Sequence, residues 1–538
     1  MSPLSLLRWT GILLGLHLAW LVVRYALGFP IWGDEAFVAV TLQEQDFAGL
    51  LAPQEYGQVA PLLWWWMEEA LHAAFGGSVW ALRLPAMVAA ILTTGLMLRL
   101  TLRALPQPSA LFAFAVFAVA YYPLRHGVEL KPYSLDLLWA TAMLNLALDL
   151  WSTTAAQDSH RRAKLLGLMA LSLVGVWASF PSLFVSAALG LACAWRWRPG
   201  RRSPDDPSPL SSTAILAWGL LLMANAWWMV EAFAGPHAAA APWLPAMDMW
   251  TRTFPPLEAW WRIPLWLVTM HTGWLSAYPT GGPPPGSALN FALILLGAVA
   301  LWRARRRAFL WLLLGPLVFN LLAAFGERYP YGGSVRVSIF MAPAFCLLLG
   351  HGLGLVLDRL PRRGAALGGH LLLGLFAVFG LSGMVRDFQQ PYKGIGDLRA
   401  QEFARGLAAE VEAGDRLFVG LARSPDGGLS MLDHGGSLAR LRYVLGEGLP
   451  AEVEVEFHPL GIPATAAQGT ALTEGDAIWL LAYRDDNQTL LPFDQEAMDA
   501  WRRALEAVHG PAAEILSLEF QGTESVSLWR IGRPAPPR

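Results

Sequence analysis

Three short segments of this 538-residue chain concentrate residue types that can move a proton or hold an anion. The first is Trp32-Gly33-Asp34-Glu35-Ala36. Two adjacent carboxylates can divide a task, one taking a proton from a hydroxyl while the other orients a neighbouring group or ion. The same pair also suits a helix start, where acidic side chains cap free N–H groups and meet the positive end of the helix dipole. The second is Arg125-His126-Gly127-Val128-Glu129-Leu130-Lys131-Pro132-Tyr133-Ser134. It gathers three cations or near-cations, one acid and a tyrosine. Such a set holds an anionic lipid headgroup, with Lys131 and Arg125 as phosphate donors. Interfacial anchoring is the alternative, and Tyr133 fits it. The third is Gly326-Glu327-Arg328-Tyr329-Pro330-Tyr331-Gly332-Gly333-Ser334-Val335-Arg336, where Arg336 opens a long apolar run. A phosphate, or a salt bridge to Glu327 or another acid, would satisfy that cation. His271 and His72 can bind a metal with nearby carboxylates such as Glu55, although lone histidines more often only hydrogen-bond.

The elements that position these segments follow from composition. Only 15% of residues are Asp, Glu, Lys or Arg, 55% are hydrophobic, and mean hydropathy is +0.41. A soluble chain of this length needs far more charge to cover its surface, so most of this one faces lipid. Apolar windows occur near 6–28, 84–104, 107–123, 133–151, 163–179, 181–196, 211–231, 287–302, 308–324, 336–357 and 365–385. Every second loop between them is basic: Arg99 and Arg103; Arg161, Arg162 and Lys164; Arg196 to Arg202; Arg303 to Arg307; Arg359 to Arg363. The positive-inside rule then predicts about eleven spans, the N-terminus in the cytoplasm and the C-terminal region outside. Pro61–Phe75 and Ile263–Leu275 are expected to lie in the outer interface, because one further crossing would invert every later loop. The N-terminal run has no small-x-small cleavage site after it and reads as an uncleaved first helix.

On this topology the acids gather outside, and the centres of the spans hold no Asp, Glu, Lys or Arg. That disfavours an ion-coupled transporter, which places such groups at mid-membrane. Two architectures are expected to join near Arg386. Residues 1–385 carry 25 basic and 18 acidic side chains (net +7), and residues 386–538 carry 14 and 23 (net −9), which together give the total of −2. The second region reads as a small extracytoplasmic α/β domain. Helices are expected over 397–412 and 494–508, strands over 416–421 and 477–482, and a hairpin over 515–531. Cys193 and Cys346 lie in apolar runs and form no disulfide framework. No phosphate loop follows a strand and no basic face suits a nucleic acid.

Together with the Asp34-Glu35 pair, Pro61-Leu62-Leu63-Trp64-Trp65, the Phe75-Gly76-Gly77-Ser78 turn, Ala81-Leu82-Arg83-Leu84-Pro85-Ala86, Lys131-Pro132-Tyr133-Ser134 and Arg328-Tyr329-Pro330 through Arg336 to Pro343 occur in this order. In that order residues 1 to about 385 resemble the GT-C glycosyltransferases of the protein O-mannosyltransferase and aminoarabinose-transferase type, glycosyltransferase family 39 and its relatives. The acidic C-terminal region is not the carbohydrate-binding extension of the eukaryotic mannosyltransferases. The resemblance implies a sugar carried on a polyprenyl (undecaprenyl) monophosphate and transferred with inversion at the outer face of the inner membrane. It implies Asp34 as general base and Glu35 as its partner. Lys131 and Arg336, with Arg328, Tyr329, Arg83 and Arg125, would be the donor-phosphate ligands, and Glu129, Tyr133 and Trp32 would line the substrate site. A divalent metal is a further implied cofactor, for which His271, His72 and Glu55 are the available side chains. The acceptor could be a glycan, a lipid or a protein. Two other function classes stay open: a non-catalytic presenter of lipid-linked sugar, and, against the charge-free midplane, a lipid or polysaccharide transporter.

Overall fold

A computed structural model describes residues 1–54, 57–152, 158–196, 212–239 and 251–421, and then 439, 442–443, 445–446, 449, 453–459, 477–485, 495–509, 511–521 and 524–531. Contacts divide the chain into two compact units. One joins Met1–Gly28 to Gln45–Gln389, and the other joins Phe29–Glu44 to Gln390–Arg538.

The first unit is helical. It contains α1 (Pro3–Ala26), then, after α2 (Gly33–Glu44) of the other unit, α3 (Leu62–Phe75), α4 (Val79–Ala104), α5 (Ser109–Ala118), α6 (Tyr121–His126), α7 (Tyr133–Ser152), α8 (Asp158–Ala178) and α9 (Ser182–Arg196). It continues with α10 (Ser212–Trp227), α11 (Gly235–Ala239), α12 (Ile263–Thr272), α13 (Ala288–Arg303), α14 (Arg307–Phe325), α15 (Ala342–Leu357) and α16 (Arg362–Gln389). Six stretches among the described residues are long and apolar enough to cross a membrane: Pro3–Ala26, Val79–Ala104, Thr213–Ala239, Arg307–Phe325, Arg336–Leu357 and Arg362–Gln389. The chain is therefore a multi-pass α-helical membrane protein with a small sheet. Of the other five expected windows, three are shorter apolar helices, at Ser109–Ala118, Ser182–Trp195 and Ala288–Arg303. The window at 107–123 is not one helix, because the backbone leaves helical geometry at Val119 and α6 starts at Tyr121. α3 and α12 have 14 and 10 residues, short of the roughly 20 a crossing needs.

Close packing centres on α5, whose ten residues are all buried. α15 makes room for it with glycine: a Cβ on Gly350 would overlap the Ala113 backbone, and one on Gly354 would overlap Ser109. On its other side Gly352 meets the Leu293 carbonyl of α13, and Gly297 of α13 meets that of Leu348. Without a hydrophobic drive between helices in lipid, such small-residue contacts supply the association. α1 and α16 are joined by a buried ion pair. Arg24 lies 2.7 Å from Asp387, which also accepts from Trp20 Nε1 at 2.8 Å. Gly383 gives Trp20 the space to reach it. Two residues beyond α1 the chain turns at Gly28, whose φ of +54° and contact with the Trp80 ring leave no place for a Cβ.

The second unit is built on a five-stranded sheet of order β2-β1-β3-β5-β4, from β1 (Arg416–Leu421), β2 (Glu454–Pro459), β3 (Ile478–Asp485), β4 (Ala512–Gln521) and β5 (Glu524–Ile531). β1 is parallel to β2 and β3, while β5 is antiparallel to β3 and β4. α17 (Ile395–Glu410) and α18 (Gln495–His509) complete it. Leu417, Val419, Trp479, Leu481 and Leu528 pack with Phe403 and Leu407 of α17 in one core. Buried Asp415 fastens the start of β1 to β3. Its carboxylate accepts from Ala477 N at 2.7 Å, Trp479 Nε1 at 2.8 Å and Glu412 N at 3.1 Å. The expected strands and helices are present, and β2, an edge strand, is an addition to them.

Candidate active site

The acidic doublet opens α2. The Trp32 carbonyl accepts from Glu35 N at 2.8 Å and from Ala36 N at 2.9 Å, so the helix starts at the doublet. Asp34 and Glu35 occupy the first turn, where the helix dipole favours negative charge. The two differ in exposure. Glu35 is fully buried, and Asp34 is partly open to solvent. A partly accessible carboxylate can receive a proton from a substrate, while a buried one can hold an orientation. Lys393 lies over the face of the Trp32 ring.

The cationic segment belongs to the first unit, between α6 and α7. Glu129 is its centre. Arg125 Nε donates to Glu129 Oε1 at 2.6 Å, and His126 Nδ1 donates to Oε2 at 2.6 Å. A neutral His126 must therefore carry its proton on Nδ1. Lys131 is held twice: its N–H donates to the Glu129 carbonyl at 2.8 Å, and its Nζ to Gln58 Oε1 at 2.6 Å. Glu129, His126 and Lys131 are all buried. Tyr133 meets the His126 ring edge-on at 5.0 Å, and Tyr122 stacks on it at 6.4 Å. The 336–341 turn opened by Arg336 packs on α6 and α7. Burial lowers the His126 pKa, Glu129 opposes that, and the charges of Arg125 and Arg336 add to the lowering. Burial also works against the Arg125 cation, but Glu129 and Tyr121 outweigh it and raise its pKa. Arg125 thus pairs with the buried Glu129 carboxylate, Lys131 is held beside it, and the Arg336 charge is felt at His126, a gathering of cations that suits an oxyanion.

The other expected site residues have surroundings of their own. Arg328 faces Glu231 at 3.2 Å in an exposed pair. Tyr329 is buried, and its hydroxyl donates to the Val337 carbonyl at 3.1 Å. Burial, then the nearby Asp136 and Tyr133, raises its pKa well above normal. Arg83 is buried on α4, within electrostatic reach of Tyr25. Gly332 and Gly333 both adopt φ near +70°, at +66° and +69°, and a Cβ on Gly333 would strike Thr253. Both nitrogens of His271 are engaged, by the Leu267 carbonyl at 2.8 Å and the Tyr331 hydroxyl at 3.2 Å. His72 has Glu69 at 3.8 Å, and Glu55 lies outside the described residues. Among the described residues no group of three or more His, Cys, Asp or Glu is arranged to hold a metal ion. The described residues thus offer no fitting ligand set for the implied divalent metal.

Two features of the structure carry no signal in the sequence. Gln58, the partner of Lys131, is 73 positions away from it. Likewise α3, α8 and α10 form an open groove of about 460 Å³, walled by Leu63, Trp66, Leu173, Val174, Trp177 and Leu221. Its polar atoms are satisfied internally, since Asn225 accepts from Trp177 Nε1 at 2.8 Å and donates to the Leu173 carbonyl at 2.7 Å.

No family model matches the chain, and no curated protein matches it. Solved structures do. ArnT from Cupriavidus metallidurans bound to undecaprenyl phosphate is similar over 98% of this chain and 98% of its own, at 13% identity and a TM-score of 0.53. The same protein in the apo state is similar over 95% and 97%, at 13% identity and a TM-score of 0.50. The chain therefore shares the fold of ArnT over nearly its whole length.

Proposed function

We propose that this chain is a membrane glycosyltransferase that moves a sugar from a polyprenyl monophosphate to an acceptor at the extracytoplasmic face of a bacterial inner membrane. The observation that carries the reading is the gathering of Arg125, Lys131 and Arg336 near the buried Glu129–His126 pair. The fold it shares with ArnT, which was crystallised with undecaprenyl phosphate, supports the lipid phosphate as occupant.

The chemistry is a displacement at the anomeric carbon. An acceptor hydroxyl gives its proton to the Asp34 carboxylate as its oxygen bonds to that carbon from the face opposite the phosphate. The carbon–oxygen bond to the phosphate breaks, its electron pair stays with the leaving polyprenyl phosphate, and the configuration inverts. Lys131 and Arg336 stabilise the charge that grows on the phosphate, which is where preorganised donors act most strongly. Glu35, buried one position along the helix, orients the acceptor. The apolar groove of α3, α8 and α10 suits the isoprenoid chain, since α3 starts four residues after Gln58, the partner of Lys131.

The test is transfer of labelled sugar from a polyprenyl-phosphate donor pool to envelope lipids, glycans and proteins in proteoliposomes. Asp34→Asn is expected to lower turnover by about 10²–10⁴-fold. The variant should melt like the wild type and bind undecaprenyl phosphate with unchanged affinity. Wild-type turnover by Asp34→Asn removes the base assignment. Binding of the donor by the wild type with no transfer to any acceptor would instead indicate a presenter of lipid-linked sugar.

A further inference from the structure

The segment that carries Asp34 and Glu35 follows α1 in sequence, yet it groups with the C-terminal residues and not with the bundle. Specific contacts hold it at both ends. At the N-terminal end, Lys393 sits over the Trp32 ring, two residues before Asp34. At the C-terminal end, Gln43 Nε2 donates to the Tyr443 carbonyl at 3.2 Å, and Arg442 pairs with Glu44 at 2.5 Å. A Cβ on Gly446 would press on the Gln43 side chain at 3.1 Å, so Gly446 lies against that side chain. Between these anchors Ala36, Val38, Ala39, Val40 and Leu42 are buried.

We propose that the C-terminal unit is the mount of the acidic helix, and that Arg442, Tyr443 and Lys393 are positioning residues for Asp34 and Glu35. This rests on the reading of Asp34 as the base. A helix is a stiff rod with a rise of about 1.5 Å per residue, so Glu44 stands roughly 15 Å along the axis from Asp34. A tilt of about 4° at the Glu44 end displaces the carboxylates by roughly 1 Å, and a misplacement of that size can cost about 10²-fold in rate. The acidic C-terminal region therefore acts on the chemistry through the helix it holds.

Three full-length variants test this: Glu44→Arg, Arg442→Glu, and the charge-swapped pair carrying both. Each single change is expected to lower kcat for sugar transfer about 10–100-fold, with KM for the donor changed less than about threefold. Hydrogen exchange of the amides over 36–44 should quicken in both singles. The swapped pair should recover the exchange protection and bring kcat to within a few-fold of wild type. Undecaprenyl phosphate binding should stay unchanged throughout, which a general loss of structure would not allow. Singles with wild-type exchange would overturn the mount. Singles with fast exchange and wild-type kcat would overturn the positioning role. A wild type that transfers no sugar from any polyprenyl phosphate would overturn the underlying reading, and the exchange comparison would still decide the mount.

Discussion

The two units answer buried charge in different ways. In the helical unit buried charges are met by other side chains: Arg24 meets Asp387, Arg125 meets Glu129 with His126 alongside, and Lys131 meets Gln58. In the α/β unit buried carboxylates are met mainly by N–H groups. Asp415 takes two backbone amides and an indole, and Asp397 takes the amide of Gly394 at 2.9 Å. The cause is backbone supply. Interior N–H groups of a helix are spent on carbonyls four residues back, so a bundle of long helices has few to offer a carboxylate. Strand starts and turns leave amides free, and a carboxylate can collect them. The teaching is that in this bundle a buried charge signals a side-chain partner, whereas in the sheet domain it signals a turn.

The contrast can be broken by mutation, from the largest effect to the smallest. Asp387→Ala leaves the Arg24 guanidinium buried without that carboxylate, and the expected loss is about 3–5 kcal/mol, read as a fall in melting temperature in detergent. Asp415→Asn keeps the shape but turns one acceptor into a donor facing N–H groups, for an expected loss of about 1–3 kcal/mol. If the second loss exceeds the first, counter-charge is not the stronger dependence. His126 should make the first unit acid-sensitive. Its folded pKa lies below the ordinary 6.5, so the unfolded chain binds a proton first, and stability declines as pH falls below about 6.5. A pH series of melting temperatures should show this slope, and His126→Gln should flatten it. Arg328→Gln sets the floor. Its pair with Glu231 is exposed, and the change should cost less than about 1 kcal/mol.

Charge patterning made the membrane helices legible, and the alternation of strand and helix signals made most of the sheet legible. The acidic doublet and the 125–134 segment also stood out, because titratable residues beside apolar runs are costly and therefore conspicuous. What escaped depends on distance in the chain. Arg24 and Asp387 are 363 positions apart, and nothing local to either indicates the other. The grouping of α2 with the C-terminal region rests on residues such as Arg442 and Tyr443, which look like ordinary surface and core choices. Arg328 shows the same limit, since the carboxylate of Glu231 opposite it lies 97 positions away in the chain. β2 was missed because an edge strand with Glu at alternate positions resembles solvated chain. The run 107–123 showed its apolarity but not its break at Val119.

That break has a consequence for how the protein is made. α5 is a ten-residue helix, about 15 Å long, roughly half the thickness of a bilayer core. It is tolerable in a membrane only because other helices cover it on every side, and the closest of them, α15, carries the glycines that receive it. The ribosome delivers α15 long after α5. During synthesis α5 must wait as an incomplete crossing, sheltered by the insertion machinery or by its earlier neighbours. The centre of the bundle closes only when Gly350 and Gly354 arrive, so the order of biogenesis is written into the packing: the core is finished nearly last.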